Sequence, residues 1–201
     1  KPREFLDFLP QWAYMMDDLV SDPSSLPFHF VALEARRHHV KVVLSGEGAD
    51  ELFGGYNSYE QLSRWSYIQP LAKKFPDLAR WLNLNKDQQD LWHRLGKKFP
   101  FYGTAYVFGA QERREILLND TNINAWQENI FSQCPKLSSI NQMLYFDMAT
   151  RIPTDLLMRT DRATMAASIE CRVPFLDHEL VEFSLGLTAA LKIKGRQKKF
   201  I

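Results

Sequence analysis

The sequence predicts an α/β fold that is mostly α-helical, with one or a few parallel strands, and three observations carry that expectation. Val40 to Leu44 is a short, β-branched, largely apolar run, the composition of a parallel strand buried on both faces. The run breaks at Ser45-Gly46-Glu47-Gly48 and restarts at Ala49 as a helix with acids in its first turn, so a strand feeds a glycine loop that opens a helix. Over most of the remaining chain, apolar residues recur at three- and four-residue spacings, the period of a helix face.

The 201 residues are 45% hydrophobic and 13% aromatic, enough for one ordinary domain with its own core. A net charge of +1 argues against a protein that binds nucleic acid or a membrane surface through bulk electrostatics. No apolar stretch approaches a membrane span, and the N-terminus lacks a charged-then-apolar leader pattern. Cys134 and Cys171 show no metal or redox spacing, so a reduced, cytoplasmic setting is expected.

In chain order, Phe5, Phe8, Leu9, Trp12, Met15, Met16 and Leu19 form one apolar helix face, which Pro10 should kink or divide. Ser21 to Pro27 is a loop, and Phe28 to His38 is the helix that crosses to the strand. The basic end of that helix, Arg36-Arg37-His38-His39, complements the helix dipole. After Tyr56, helical stretches are expected at Tyr59 to Ile68, Asp77 to Leu84 and Gln111 to Leu118, and Lys73-Lys74 and Lys97-Lys98 read as solvated faces over an aromatic core. Asp120 to Ser138 reads as a polar loop or hinge, followed by a helix carrying Ile140, Met143, Leu144 and Met148. Pro153 should break the chain, and Thr154 should cap the helix through Met165. Asp177 should cap His178 to Leu185, which Gly186 ends. The closing residues read as the start of a basic, helix-like segment.

The glycine loop is where chemistry is expected. Gly46 and Gly48 let the backbone turn sharply and approach a ligand closely, at the carboxyl edge of the sheet where open α/β folds bind ligands. The first N–H groups of the next helix suit a phosphate or carboxylate. Glu47 and Asp50 beside such a site suggest Mg²⁺ or a proton acceptor, because bare carboxylates would repel a phosphate. Acids in a first helical turn also occur simply to complement the dipole.

The run Leu44-Ser45-Gly46-Glu47-Gly48-Ala49-Asp50-Glu51-Leu52-Phe53-Gly54-Gly55-Tyr56 closely resembles the signature loop of the synthetase domain in glutamine-dependent asparagine synthetases and their relatives. A second run, Asp155 to Asp177, containing Arg159-Thr160-Asp161-Arg162-Ala163-Thr164 and Glu170-Cys171-Arg172-Val173-Pro174-Phe175, resembles the family's other hallmark. The resemblance implies an adenine-nucleotide alpha-hydrolase-like synthetase domain. Residues 1–201 would be its C-terminal part, with 57–138 a helical insertion covering the site. It also implies an upstream Ser-Gly-Gly-x-Asp-Ser loop for the ATP pyrophosphate and an N-terminal glutaminase domain. Neither occurs in these residues, so the later part of a synthetase domain is expected rather than a complete enzyme.

By the same resemblance, ATP activates the side-chain carboxylate of aspartate as β-aspartyl-AMP, and ammonia derived from glutamine then yields asparagine. Glu47 is the expected base for the attacking ammonia. Lys199 would face the nucleotide phosphates, with Lys198 as the near alternative. Ser45, Gly46 and Gly48 would bind the nucleotide, and Asp50 would hold Mg²⁺. Ser24 and Ser25 lead toward substrate or cap the next helix. Asp161, Glu170 and Arg172 would form a supporting charged network. Relatives with these motifs amidate or cyclise other carboxylates, and a catalytically silent interaction module is a further reading. A homodimer is also open, because an unpaired strand edge favours association.

Overall fold

The computed structural model describes residues 2–18, 22–98, 101–108, 110–117, 123–195 and 197–201. In chain order the elements are α1 (Pro2–Met16), α2 (Ser25–Arg37), β1 (Val42–Leu44), α3 (Ala49–Phe53), α4 (Asn57–Trp65), α5 (Gln69–Lys74), α6 (Leu78–Trp81) and α7 (Lys86–Leu95). There follow α8 (Ala110–Ile116), α9 (Ile123–Gln133), α10 (Ser139–Ala149), α11 (Leu157–Met165), β2 (Glu170–Arg172), α12 (His178–Gly186), α13 (Ala189–Lys192), β3 (Ile193–Lys194) and β4 (Gln197–Lys198). The chain is mostly helical with a few short strands, as the composition and spacing predict. It divides into two compact units, residues 1–49 with 150–182 and residues 50–149 with 183–201.

In the first unit β1 pairs with β2 in parallel, Val42 opposite Glu170 and Leu44 opposite Arg172. The pairing extends one step further, because the Ser45 N–H donates to the Arg172 carbonyl at 2.9 Å. The strand is shorter than the expected Val40 to Leu44, and it is not buried on both faces. Val43 packs with Ala32, Ala167 and Ile169, whereas Leu44 is 72% exposed. The physical reason is that alternation sends Val42 and Leu44 to the face away from that cluster, where they are 40% and 72% exposed.

α2 lies along α11, with His29 buried between them. Its Nδ1 lies 3.0 Å from the Ala163 carbonyl, which requires that nitrogen to carry the proton, and its ring stacks on Phe8 at 5.1 Å. Trp12, Met16, Leu26 and Ala163 complete this small core. α1 runs undivided through Pro10. Phe5 and Leu9 remain substantially exposed, and Leu19 lies outside the described residues. At the basic end of α2, Arg36 donates to the Ala167 carbonyl and the Ser168 hydroxyl at 3.2 Å, and Arg37 pairs with Glu34.

Pro153 does not break the chain. It sits in a π-helical turn, Ile152–Leu156, that runs straight into α11. A proline has no N–H for the carbonyl four residues back and its ring crowds that carbonyl, so a wider turn accommodates it. Thr154 is therefore inside the turn and not an N-cap; its hydroxyl donates to the Thr150 carbonyl at 2.8 Å. Asp177 does cap α12, accepting the N–H groups of Glu179 and Leu180.

The second unit has the larger core, with Tyr59, Trp92, Leu95, Phe101, Phe131, Met143, Leu144 and Phe146 as its main members. Phe131 stacks on Phe146 at 5.1 Å, while Phe101 and Trp126 meet that ring edge-on. α9 crosses the stretch that polar composition marks as a loop. Trp126, Ile130 and Phe131 share one helix face, and the aromatic contacts stabilise a helix that local composition would leave marginal. α7 is likewise unforeseen; it begins with a capping box in which Asn85 and Gln88 satisfy each other's backbone N–H groups.

Two acid–phenol bonds tie this unit together, the first of them fully buried. The Tyr59 hydroxyl donates to Asp147 at 2.5 Å and the Tyr56 hydroxyl to Glu51 at 2.7 Å. Burial, reinforced by the Asp147 charge, pushes the Tyr59 phenol far above its ordinary pKa. The closing residues form an antiparallel hairpin, β3 with β4, rather than the start of a helix. The hairpin turns at Gly195, whose φ of +62 suits glycine. Among the described residues no helix is long and apolar enough to cross a membrane.

Candidate functional site

Ser45, Gly46, Glu47 and Gly48 form the link between β1 and α3, and the two glycines serve different ends. Gly48 has φ +90, and a Cβ there would overlap the Leu176 side chain, so packing and backbone both require glycine. A Cβ on Gly46 would meet nothing within 4 Å. Its missing side chain is not demanded by neighbours, and the space beside it is open.

Glu47 is held by residues of α11. Its Oε1 accepts from Arg159 Nη2 at 2.6 Å and lies 3.4 Å from the Thr160 hydroxyl. Arg159 simultaneously donates through Nη1 to the Asp22 carboxylate and to the Ser24 hydroxyl. Its guanidinium lies 5.5 Å from the centroid of the Phe28 ring. The Arg159 side chain is only 6% exposed, with Glu47 at 13% and Asp22 at 21%, so the cluster is largely withdrawn from water. Its Nε is buried and has no hydrogen-bond partner among the described residues.

Asp22 is fixed by its own turn, its carboxylate accepting the Ser24 N–H at 2.8 Å. Burial opposes its charge, but bonds from the Ser24 side chain and N–H, with the Arg159 and Arg151 charges, outweigh burial and lower the Asp22 pKa. Ser24 stands at the N-cap position of α2 without capping it, because its hydroxyl is turned to Arg159. Ser25 instead donates to the Asp22 carbonyl at 2.7 Å.

The expected network of Asp161, Glu170 and Arg172 takes a different form. Arg172 pairs with Glu170 at 2.7 Å in an exposed contact on β2, without Asp161. The arginine buried instead is Arg159, whose side chain meets Asp22, Ser24 and Phe28 at the start of α2. Cys171 is a poor nucleophile: burial, then the Glu47 and Asp161 charges, raise its thiol pKa.

In the second unit the structure brings Asp50 and Lys199 together, Nζ to Oδ1 at 2.7 Å. Lys198 goes elsewhere, donating to Asn57 Oδ1 at 2.6 Å. Lys199 follows the hairpin with a left-handed φ of +48, which turns its side chain out of the strand alternation. A Cβ on Gly55 would overlap Asp50 Oδ1 and lie 2.5 Å from Lys199 Cε, so only glycine leaves room for the pair. Asp50 and Lys199 are 36% and 46% exposed.

Among the described residues no group of three or more His, Cys, Asp or Glu could hold a metal. A protein cage is therefore absent from them. Mg²⁺ usually keeps several waters and takes one or two carboxylates together with substrate phosphates, and exposed Asp50 fits that mode.

Asp22 and Arg159 escape sequence reasoning as partners. They stand 137 positions apart, and the only local signal, Asp22-Pro23-Ser24-Ser25, marks a turn.

The family model described as asparagine synthase matches residues 1–201. The chain belongs to the asparagine synthase family. It is 36% identical to a putative asparagine synthetase [glutamine-hydrolyzing] of Mycobacterium tuberculosis (strain ATCC 25618 / H37Rv), with 98% of the chain and 31% of that protein aligned. It is 34% identical to asparagine synthetase [glutamine-hydrolyzing] 1 of Bacillus subtilis (strain 168), with 100% of the chain and 33% of that protein aligned. A putative asparagine synthetase [glutamine-hydrolyzing] of Methanocaldococcus jannaschii is 26% identical over 95% of the chain and 23% of its own length. The chain thus spans about a third of the length of the first two of these family members. No solved structure matches it.

Proposed function

We propose that residues 1–201 are the C-terminal part of an adenine-nucleotide alpha-hydrolase-like synthetase domain, with 57–138 a helical insertion, in a cytoplasmic glutamine-dependent asparagine synthetase. The full-length protein would amidate aspartate with ATP, drawing ammonia from glutamine through an N-terminal glutaminase domain. The observation that carries this reading is the loop after β1, where Glu47 is clamped by Arg159 in a chain of the asparagine synthase family.

In this reading the aspartate side-chain carboxylate attacks the α-phosphate of ATP, forming an acyl–phosphate bond and displacing pyrophosphate. Ammonia then attacks the acyl carbon of β-aspartyl-AMP, AMP leaves, and the proton shed by nitrogen goes to Glu47. Arg159 and Thr160 orient the Glu47 carboxylate, so the base meets the adenylate in one geometry. Ser45, Gly46 and Gly48 leave room for the nucleotide beside the backbone. Lys199 lies against the phosphates and offsets negative charge as pyrophosphate separates. Asp50 is this chain's contribution to Mg²⁺, which when bound shields the phosphate oxygens.

The test is release of pyrophosphate and AMP by the full-length protein with Mg²⁺-ATP and ammonia, with and without aspartate. Aspartate-dependent release with asparagine as product is expected. Release only with another carboxylate would move the protein to a different amide-forming reaction, and no release with any acid would favour an interaction module. Glu47→Gln should retain pyrophosphate release better than amide formation; equal loss of both would remove Glu47 as the base.

A further inference from the structure

The second unit contains a lysine that the chemistry above does not use. Lys192, the last residue of α13, is 0% exposed. Its Nζ donates to Asn141 Oδ1 at 2.9 Å, the single acceptor among the described residues for a group with three donors. Asn141 is itself buried on α10 and fully committed: its Nδ2 donates to the Leu185 carbonyl at 3.0 Å and the Leu187 carbonyl at 2.8 Å. Burial lowers the ammonium pKa to about 8. Desolvation of the amine offsets what its bond to Asn141 contributes, so fold stability alone is a weak reason for a lysine at this position.

What Lys192 touches next suggests its use. Its carbonyl accepts the Phe200 N–H at 3.1 Å, closing the base of the β3–β4 hairpin around Lys199. The following residue, Ile193, packs against Gly54 so closely that a Cβ there would come within 2.9 Å of its side chain. Gly54 adjoins Gly55, the residue that makes room for Asp50 and Lys199. One buried side chain thus pins the base of the hairpin to α10, and through Asn141 to the end of α12.

We propose that Lys192 is a positioning residue: the Lys192–Asn141 bond sets the register in which the β3–β4 hairpin delivers Lys199 to Asp50. This rests on the reading that Lys199 acts at the nucleotide phosphates. Lys192 touches no reacting group and works only through Lys199.

The test is a double-mutant cycle in the full-length protein, reading ATP–pyrophosphate exchange with saturating aspartate, alongside the unfolding temperature. Lys192→Met should lower the exchange rate by about 10- to 100-fold, the scale of a misplacement near 1 Å, while unfolding at or above the wild-type temperature. Lys192→Gln, which can still donate to Asn141, should recover part of the rate. In the Lys199→Ala background, Lys192→Met should have no further effect. Additive losses, or a Lys192→Met protein that unfolds below the assay temperature, would overturn positioning in favour of a purely structural lysine. If Lys199→Ala alone leaves exchange unchanged, the Lys199 reading falls and this inference with it; if Lys199→Ala is slow and Lys192→Met is not, only this inference falls.

Discussion

Two carboxylates of the same loop–helix stretch, Glu47 and Asp50, each form one ion pair, and the pairs differ in kind. Glu47 meets a 6%-exposed arginine that also holds Asp22, so three charged groups are withdrawn from water together and each depends on the others. Asp50 meets a lysine that is 46% exposed, on a hairpin whose support is buried behind it. The first pair is held by its own partners; the second is held by the backbone that carries it. A buried charge without its partner is costly, whereas an exposed pair contributes little and can open for a ligand. The difference suits the proposed roles, a base that must stay oriented and a charge pair that must admit a metal and phosphates.

That contrast can be broken most severely at Arg159. Arg159→Met would leave Asp22 and Glu47 facing each other without a cation, and urea unfolding should register a loss on the order of 3 kcal/mol. A loss below about 1 kcal/mol would mean that the cluster is as solvent-screened as the exposed pair.

The support behind Lys199 can be read through pH. Because the folded pKa of Lys192 lies near 8, below its ordinary 10.5, the unfolded chain binds more protons between those values. Stability should therefore rise with pH from about 8 to 10.5, by as much as about 3 kcal/mol, with the full penalty present below pH 8. Lys192→Met should lack that rise in urea denaturation series at matched pH. An identical slope in both proteins would show that the amine is not desolvated in the folded state.

Tyr59→Phe removes the donor to buried Asp147, for which the Thr104 N–H at 3.0 Å is another partner. The expected cost is about 2 kcal/mol by chemical denaturation. The smallest stability effect belongs to the exposed pair: Lys199→Ala should change unfolding free energy by less than about 1 kcal/mol. Pyrophosphate exchange should nonetheless collapse in that variant. A large stability loss would make the pair a structural bridge and erase the contrast with Glu47.

Much of this molecule is legible in the order of its residues. The β-branched run, the glycine loop and the acid-led helix announce a strand, turn and helix, because backbone preference and side-chain periodicity are local properties. The Asp177 cap and the left-handed turn at Gly48 are local in the same sense, whereas the Leu176 side chain that also excludes a Cβ there is not. The helix at α9 and the π-turn at Pro153 were not legible. Phe146 stabilises the first from another element, and the second depends on how a continuous helix absorbs a proline in place.

At the candidate site the division is the same. Local sequence singles out Ser45 to Asp50 as a candidate for chemistry, since two glycines flank an acid directly after a strand, although acids in a first helical turn also serve the dipole. Only the tertiary structure decided which cation meets which acid. It put Arg159 on Glu47 through a partner 137 positions away at Asp22, and it put Lys199 rather than Lys198 on Asp50. Charge pairing acts across a few ångströms, and nothing in a sequence states which distant residues the packing of helices will bring within that reach.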